Sequence, residues 1–343
     1  MTLATFLHIS DLHFGVIDPE TFDAQAHQIW ATLPTFEGFL GHRYSSLVLL
    51  ERLFGITLNG ESPLLIVTGD ITSNGNDEQF RIAHDYLGNE LIMPDNSAIG
   101  LGCTDWKDWA IPGNHDHWPG SNWILGSPSQ TFQNGFRGFP AVADLTLSTG
   151  DTIRFLRIDS DSDVSCYFLD RFFARGSFPS QLDALRELTK SLEAASVTIL
   201  CLHHSPAEGG YLRALDRKSR RALDKFIIDM EISVLMTGHI HNPPLVKAFT
   251  ATDGARSRRY IEARCGTTTQ SDFFESPYYW KTYLAPFDIK PKRWSNSLLV
   301  HRIVDRNGSL YWETELLQQR VQDFLPPQSP LRTILVDPSF KLR

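Results

Sequence analysis

The sequence predicts an α/β protein, and three observations predict it. Short runs rich in branched aliphatics end abruptly in polar clusters, as buried strands do. Amphipathic helical segments fall between those runs. At 343 residues, 42% of them hydrophobic and 21% charged, the chain can bury a sizeable core and is neither disordered nor fibrous in composition.

The elements follow in order. "ATFLHIS" leads into Asp11, "SPLLIVTG" into Asp70, "DWAIPG" into Asn114, "SVTILCL" into His203 and "ISVLMTG" into His239. Each reads as a strand bounded by Gly, Pro or Ser. Between them, 43–54 carries Leu47, Leu50, Leu53 and Phe54 on one helical face. Residues 77–87 open with acids, which suit a helix N-terminus. The stretch 177–196 places Leu182, Leu185, Leu188 and Leu192 at helical spacing, and 217–230 is a further helix. In the last third, 259–264, 297–305 and 309–317 read as strands, with "DRNGS" as a hairpin turn between the last two. The proline-punctuated tail from Phe324 is expected to run over the surface.

Composition excludes several functions. A net charge of −8 argues against a partner bound through a phosphate backbone. The densest basic run, 213–225, is broken by two aspartates and reads as a solvated helix face. Four scattered cysteines form no CxxC pair, so neither a zinc ribbon nor a disulfide framework is signalled, and Cys201 reads as a small buried hydrophobe. The N-terminus reads as a strand rather than a signal peptide, and there is no apolar run of about 18 residues. A cytoplasmic protein with no membrane partner is the expectation.

Five strand ends deliver residues of metal-ligand type: Asp11 and His13, Asp70, then Asn114, His115 and Asp116, then His203 and His204, then His239 and His241. Open α/β sheets bind ligands beyond the carboxyl ends of their strands. Imidazole, carboxylate and amide oxygen together suit manganese, iron, zinc or nickel, and the lack of thiolates argues against structural zinc. The glycines before Asp70, Asn114 and His239 permit close backbone approach.

The ordered set D-x-H, G-D, G-N-H-D, H and G-H-x-H resembles the calcineurin-like metallophosphoesterase superfamily, over roughly 3–242. The resemblance implies a two-sheet β-sandwich flanked by helices (αββα), with a catalytic domain over 1–264. Residues 265–343 would be an added C-terminal β and aromatic region completing or capping the sandwich. It implies two divalent metal ions, one held by Asp11, His13 and His241, the other by Asn114, His203 and His239, with Asp70 bridging them. His115 would stand near the substrate and Asp116 would orient it. Two metals about 3.5–4 Å apart clamp the attacking and leaving oxygens of an in-line displacement and make hydroxide available at neutral pH. His115 would then protonate the leaving alkoxide or stabilise the phosphoryl group.

Other residues are weighed beside these. His203 fits the strand-end register better than His204, which is left as a substrate contact or a packed side chain. His117 reads as solvent-facing or as a support to the ligands, and His8 as a hydrogen-bonded core histidine. The loop "SPAEGGYLR" follows His204 closely, so Tyr211 or Arg213 is expected to reach a substrate. The aromatic stretch 273–294 reads as packing, with a lid or an oligomer contact as the alternative.

Purple acid phosphatases carry a metal-binding tyrosine where this chain has Ser73, so the chain departs from that branch. "ISDLHFG", "GDITSNG" and "GNHD" look more like the bacterial cyclic-nucleotide phosphodiesterases. The resemblance therefore implies hydrolysis of small-molecule phosphodiesters, of cyclic-nucleotide or glycerophosphodiester type. A phosphomonoesterase or pyrophosphatase is the alternative. A nuclease and a non-catalytic scaffold rank lower, the latter because the ligand set is intact. Extra length in 16–42, in 89–107 and after Arg264 would close the cleft or build a homo-oligomer.

Overall fold

The computed structural model describes residues 1–17, 24–25, 44–57, 63–118, 129–136, 138–164, 175–207, 215–239, 244–269, 295–320, 331–334 and 340–342. His241, Tyr211, Arg213, the aromatic stretch 273–294 and most of 16–42 lie outside the described residues.

Two six-stranded sheets face each other. The first has the order Leu331–Ile334, Ser309–Arg320, Ser295–Arg306, Thr2–Ile9, Leu64–Thr68 and Ala110–Ile111, the last three mutually parallel. The second has the order Leu245–Asp253, Arg256–Arg264, Ile232–Thr237, Val197–Cys201, Thr152–Arg157 and Ala141–Thr146, with its four central strands parallel.

Alternation along each strand builds the layers. Phe6, Ile66, Phe155, Ile199, Val234 and Trp312 point into the core between the sheets. Their neighbours Leu7, Leu65 and Val67 pack outward against the helices Tyr44–Thr57 and Asp77–Gly88. Leu156, Leu200 and Leu235 do the same beneath Pro179–Thr189 and Arg217–Asp229. Strands buried on both faces are therefore largely apolar, and the polar residues they bury, such as His8 and Arg154, have hydrogen-bond partners. Phe155, fully buried with its ring edge-on to Phe6 at 5.4 Å, shows the scale: truncation to alanine costs about 3–5 kcal/mol. The expected αββα sandwich is present.

Local signals account for the helix ends. Asn76 caps Asp77–Gly88 by accepting from Gln79 N, and Asp216 caps Arg217–Asp229 by accepting from Lys218 N and Ser219 N. The "DRNGS" turn closes the antiparallel pair Ser295–Arg306 and Ser309–Arg320 through Asn307 and Gly308, both in left-handed backbone.

In the second sheet, Ala141–Thr146, Thr152–Arg157 and Leu245–Asp253 escape the sequence reading. Arginines interrupt the second of these, and Arg154 is accommodated by a two-pronged pair with Asp144 on the adjacent strand. The tail is also corrected. Leu331–Ile334 pairs with Ser309–Arg320 as the edge of the first sheet, and Leu342 packs into the inter-sheet core instead of lying on the surface.

Candidate metal centre

Strand direction determines where the site forms. The parallel strands of the two sheets release Asp11, Asp70, Asn114, His203 and His239 just past their carboxyl ends. The sheets meet there: His203 Nδ1 lies 2.6 Å from the Thr68 carbonyl of the opposite sheet, and His239 N donates to Asp11 Oδ2 at 3.0 Å.

Backbone strain concentrates at the same place. Seven non-glycine residues among those described have positive φ, and Asp11 (52°), His13 (48°), Asp70 (49°) and His239 (69°) are four of them. Left-handed backbone costs such residues roughly 1–2 kcal/mol each and persists where the surroundings over-determine it. Two glycines permit the close approach. A Cβ on Gly113 would stand 2.3 Å from Asp70 N and Oδ1, and one on Gly238 would stand 2.0 Å from Ser10 Oγ.

Asp70 is shared by two groups of ligand atoms, each within 4.8 Å: His13, Asp70 and His115, and Asp70, His203 and His239. Its Oδ2 lies 3.2 Å from His203 Nε2, 3.8 Å from His13 Nε2 and 4.0 Å from His115 Nε2. Its Oδ1 accepts from His115 N at 2.9 Å. Burial would raise the Asp70 carboxyl, but the imidazoles of His203, His115 and His13 hold it well below the usual carboxylate range. Burial would likewise lower His203, but the Asp70 carboxylate pushes it up to about 10.

Asn114 supplies a test of fit for a metal. Its side-chain oxygen and nitrogen are both buried and have no hydrogen-bond partner among the described residues. An amide left in that condition is costly unless something else engages it. An oxygen donor beside four imidazoles and buried carboxylates is a donor set that suits a divalent cation.

The described hydrogen bonds of Asp116 do not include His115, whose Nδ1 lies 2.8 Å from the Ser73 carbonyl. Asp116 accepts from Gly113 N, Ile71 N, Thr72 N and Thr72 Oγ1 and so ties the Asp70 loop to the Asn114 loop. Burial, then the Asp70 charge, pushes its carboxyl up to about 6.

His204 Nδ1 lies 2.8 Å from Ser160 Oγ, while its ring packs 4.1 Å from that of His239. His117 Nε2 pairs with Asp159 Oδ1 at 2.9 Å, joining the Asn114 turn to the second sheet. His8 is fully buried in a polar chain running from Thr68 Oγ1 through His8 and His301 to Thr314. The sequence reading missed Ser73, Asp159 and the threonines 267–269. Only the "TTT" run was visible, and nothing in it indicates a partner more than 250 residues away.

The model of the family described as calcineurin-like phosphoesterase matches residues 4–243, some 70% of the chain. The chain belongs to this family. It is a metal-dependent phosphoester hydrolase of a family that works with two metals, and the phosphoesterase's clustered histidines and aspartates are able to bind them. No curated protein sequence matches the chain. Among solved structures the phosphoesterase is similar to GAP50, the anchor in the inner membrane complex of Plasmodium. The identity is 12% and the TM-score 0.49, over 99% of this chain and 91% of that one. It is also similar to purple acid phosphatase PPD1 from yellow lupin seeds, at 13% identity and a TM-score of 0.48, over 94% of this chain but only 52% of that one. Neither likeness is close enough for activity to transfer. No helix among the described residues is long and apolar enough to cross a membrane.

Proposed function

We propose that this phosphoesterase hydrolyses small-molecule phosphodiesters, of cyclic-nucleotide or glycerophosphodiester type, with two divalent cations held around Asp70. The observation that carries the reading is the single Asp70 carboxylate shared by two imidazole groups. Asp11, His13 and His241 would hold one cation, Asn114, His203 and His239 the other, and Asp70 both. Manganese, iron, zinc or nickel bound there supplies Lewis acidity toward phosphoryl oxygens and lowers the pKa of water.

The chain's own groups then have separable tasks. His203 donates Nδ1–H to Thr68 O, which leaves Nε2 as the ligating nitrogen facing Asp70. His115 donates Nδ1–H to Ser73 O, so its Nε2 is the nitrogen that faces Asp70, 4.0 Å from Oδ2. At that position Nε2 contacts the phosphoryl group and delivers a proton to the departing alkoxide. Asp116 keeps the Asp70 and Asn114 loops in register by accepting four donors.

Diester preference rests on the likeness of "ISDLHFG", "GDITSNG" and "GNHD" to the bacterial cyclic-nucleotide phosphodiesterases. The test is a comparison of kcat/KM on manganese-loaded protein for bis-p-nitrophenyl phosphate, cyclic AMP and a glycerophosphodiester against p-nitrophenyl phosphate. Diesters should lead; a consistent lead for the monoester makes the protein a phosphomonoesterase.

A further inference from the structure

The segment "CGTTT", from Cys265 to Thr269, lies beyond the family match, which ends at residue 243. Its three consecutive threonines engage three consecutive residues of the first ligand loop. Thr268 Oγ1 accepts from Ser10 N at 3.1 Å, Thr267 Oγ1 donates to the Asp11 carbonyl at 3.0 Å, and Thr269 Oγ1 donates to the Leu12 carbonyl at 2.7 Å. Thr268 N also donates to the Ser10 carbonyl at 3.0 Å, and Cys265 Sγ lies 3.4 Å from the His8 carbonyl. All three threonines are buried.

The loop requires such a clamp. The first strand ends at Ile9, and beyond it Asp11 and His13 both adopt left-handed backbone. Among the described residues no backbone N–H donates to the Asp11 or Leu12 carbonyl, and a buried carbonyl without a donor is costly. Hydroxyls on stiff β-branched side chains supply those donors from fixed positions. The backbone hydrogen bond from Asp11 N to Gly69 O, and that from His239 N to Asp11 Oδ2, fix the amide and the carboxylate but leave the carbonyl side to the threonines.

We propose that Thr267 and Thr269 are positioning residues that hold Asp11 and His13 in left-handed backbone and thereby set the affinity of the centre for its divalent cations. This rests on the reading of Asp11 and His13 as ligands. Without the hydroxyl donors, the Asp11–Leu12 backbone relaxes toward commoner conformations and carries the carboxylate away from its place beside Gly238.

Manganese titrations of the full chain by calorimetry test this, with the melting temperature of metal-free protein measured in parallel. Thr267→Val keeps the shape and removes the donor; it should weaken manganese binding about tenfold. Thr267→Ser, which keeps the donor, should stay within about threefold of wild type. Thr269→Val carries the same expectation as Thr267→Val if the latter does not fold. Thr189→Val, at a buried threonine whose hydroxyl donates within its own helix to the Leu185 carbonyl, should change the melting temperature without changing manganese affinity. Thr267→Val and Thr269→Val proteins that bind manganese as tightly as wild type overturn the clamp while leaving the metal reading intact. Wild-type protein that takes up no manganese overturns both.

Discussion

His203 Nε2 lies 3.2 Å from Asp70 Oδ2, a fully buried imidazole facing a buried carboxylate that three other elements of the site also approach. Without a cation this is an ion pair, with the imidazole held protonated up to about pH 10 by Asp70. A ligating imidazole must be neutral, so cation binding has to displace that proton. Calorimetric titration with manganese at pH 7.5, in buffers of different ionisation enthalpy, should therefore show about one proton released through His203, and affinity should rise with pH. Binding with no proton release contradicts His203 as a ligand.

His115 touches Asp70 through its backbone N–H and turns its ring to the Ser73 carbonyl. Replacement by alanine should lower kcat about 10²–10⁴-fold, the range for a proton-transfer group, while two cations still bind. Loss of metal at unchanged kcat per loaded site assigns His115 to the metal instead.

The paired core histidines set an acid limit on stability. Burial lowers His8 to about 3 and holds His301 well below the usual histidine range, so both are neutral in the folded protein. The unfolded chain takes up protons at these positions below about pH 6.5 and the folded chain does not. Stability should be full above about pH 6.5 and fall by up to about 1.4 kcal/mol per pH unit per imidazole as the pH drops to 5. Urea unfolding at pH 7, 6 and 5 measures this, and a flat profile counts against it.

His117 has the opposite sign. Burial lowers it, but Asp159 at 2.9 Å raises it to about 9. Its contribution to stability is complete below about pH 6.5 and is lost as the pH rises through 9, on the order of 2–3 kcal/mol in all. Asp159→Asn should flatten the alkaline limb of the unfolding profile. An unchanged limb between pH 7 and 9.5 rejects the pairing.

Much of this was legible because strand ends and ligand types coincide. An apolar run ending in Gly-Asp or Gly-His is read from the chain itself, and the αββα layers were implied by the family resemblance that those strand ends carry. What stayed hidden depends on contacts between segments distant in sequence. Thr152–Arg157 hid behind Arg154, whose partner Asp144 is on another strand. Asp116 sits next to His115 in sequence, yet the turn directs its carboxylate to Ile71 and Thr72, partners that only the folded loops bring near. The carbonyl acceptors of Thr267 and Thr269 have no side-chain signature at all.

The central claim is that one carboxylate joins two cation sites, and anomalous diffraction from crystals grown with manganese tests it most directly. Two peaks are predicted, one toward His13 and one toward His203 and His239, with Asp70 ligating both, and neither should survive in full occupancy in Asp70→Ala crystals. A single peak remote from Asp70, or saturating manganese with no peak between these side chains, contradicts the account.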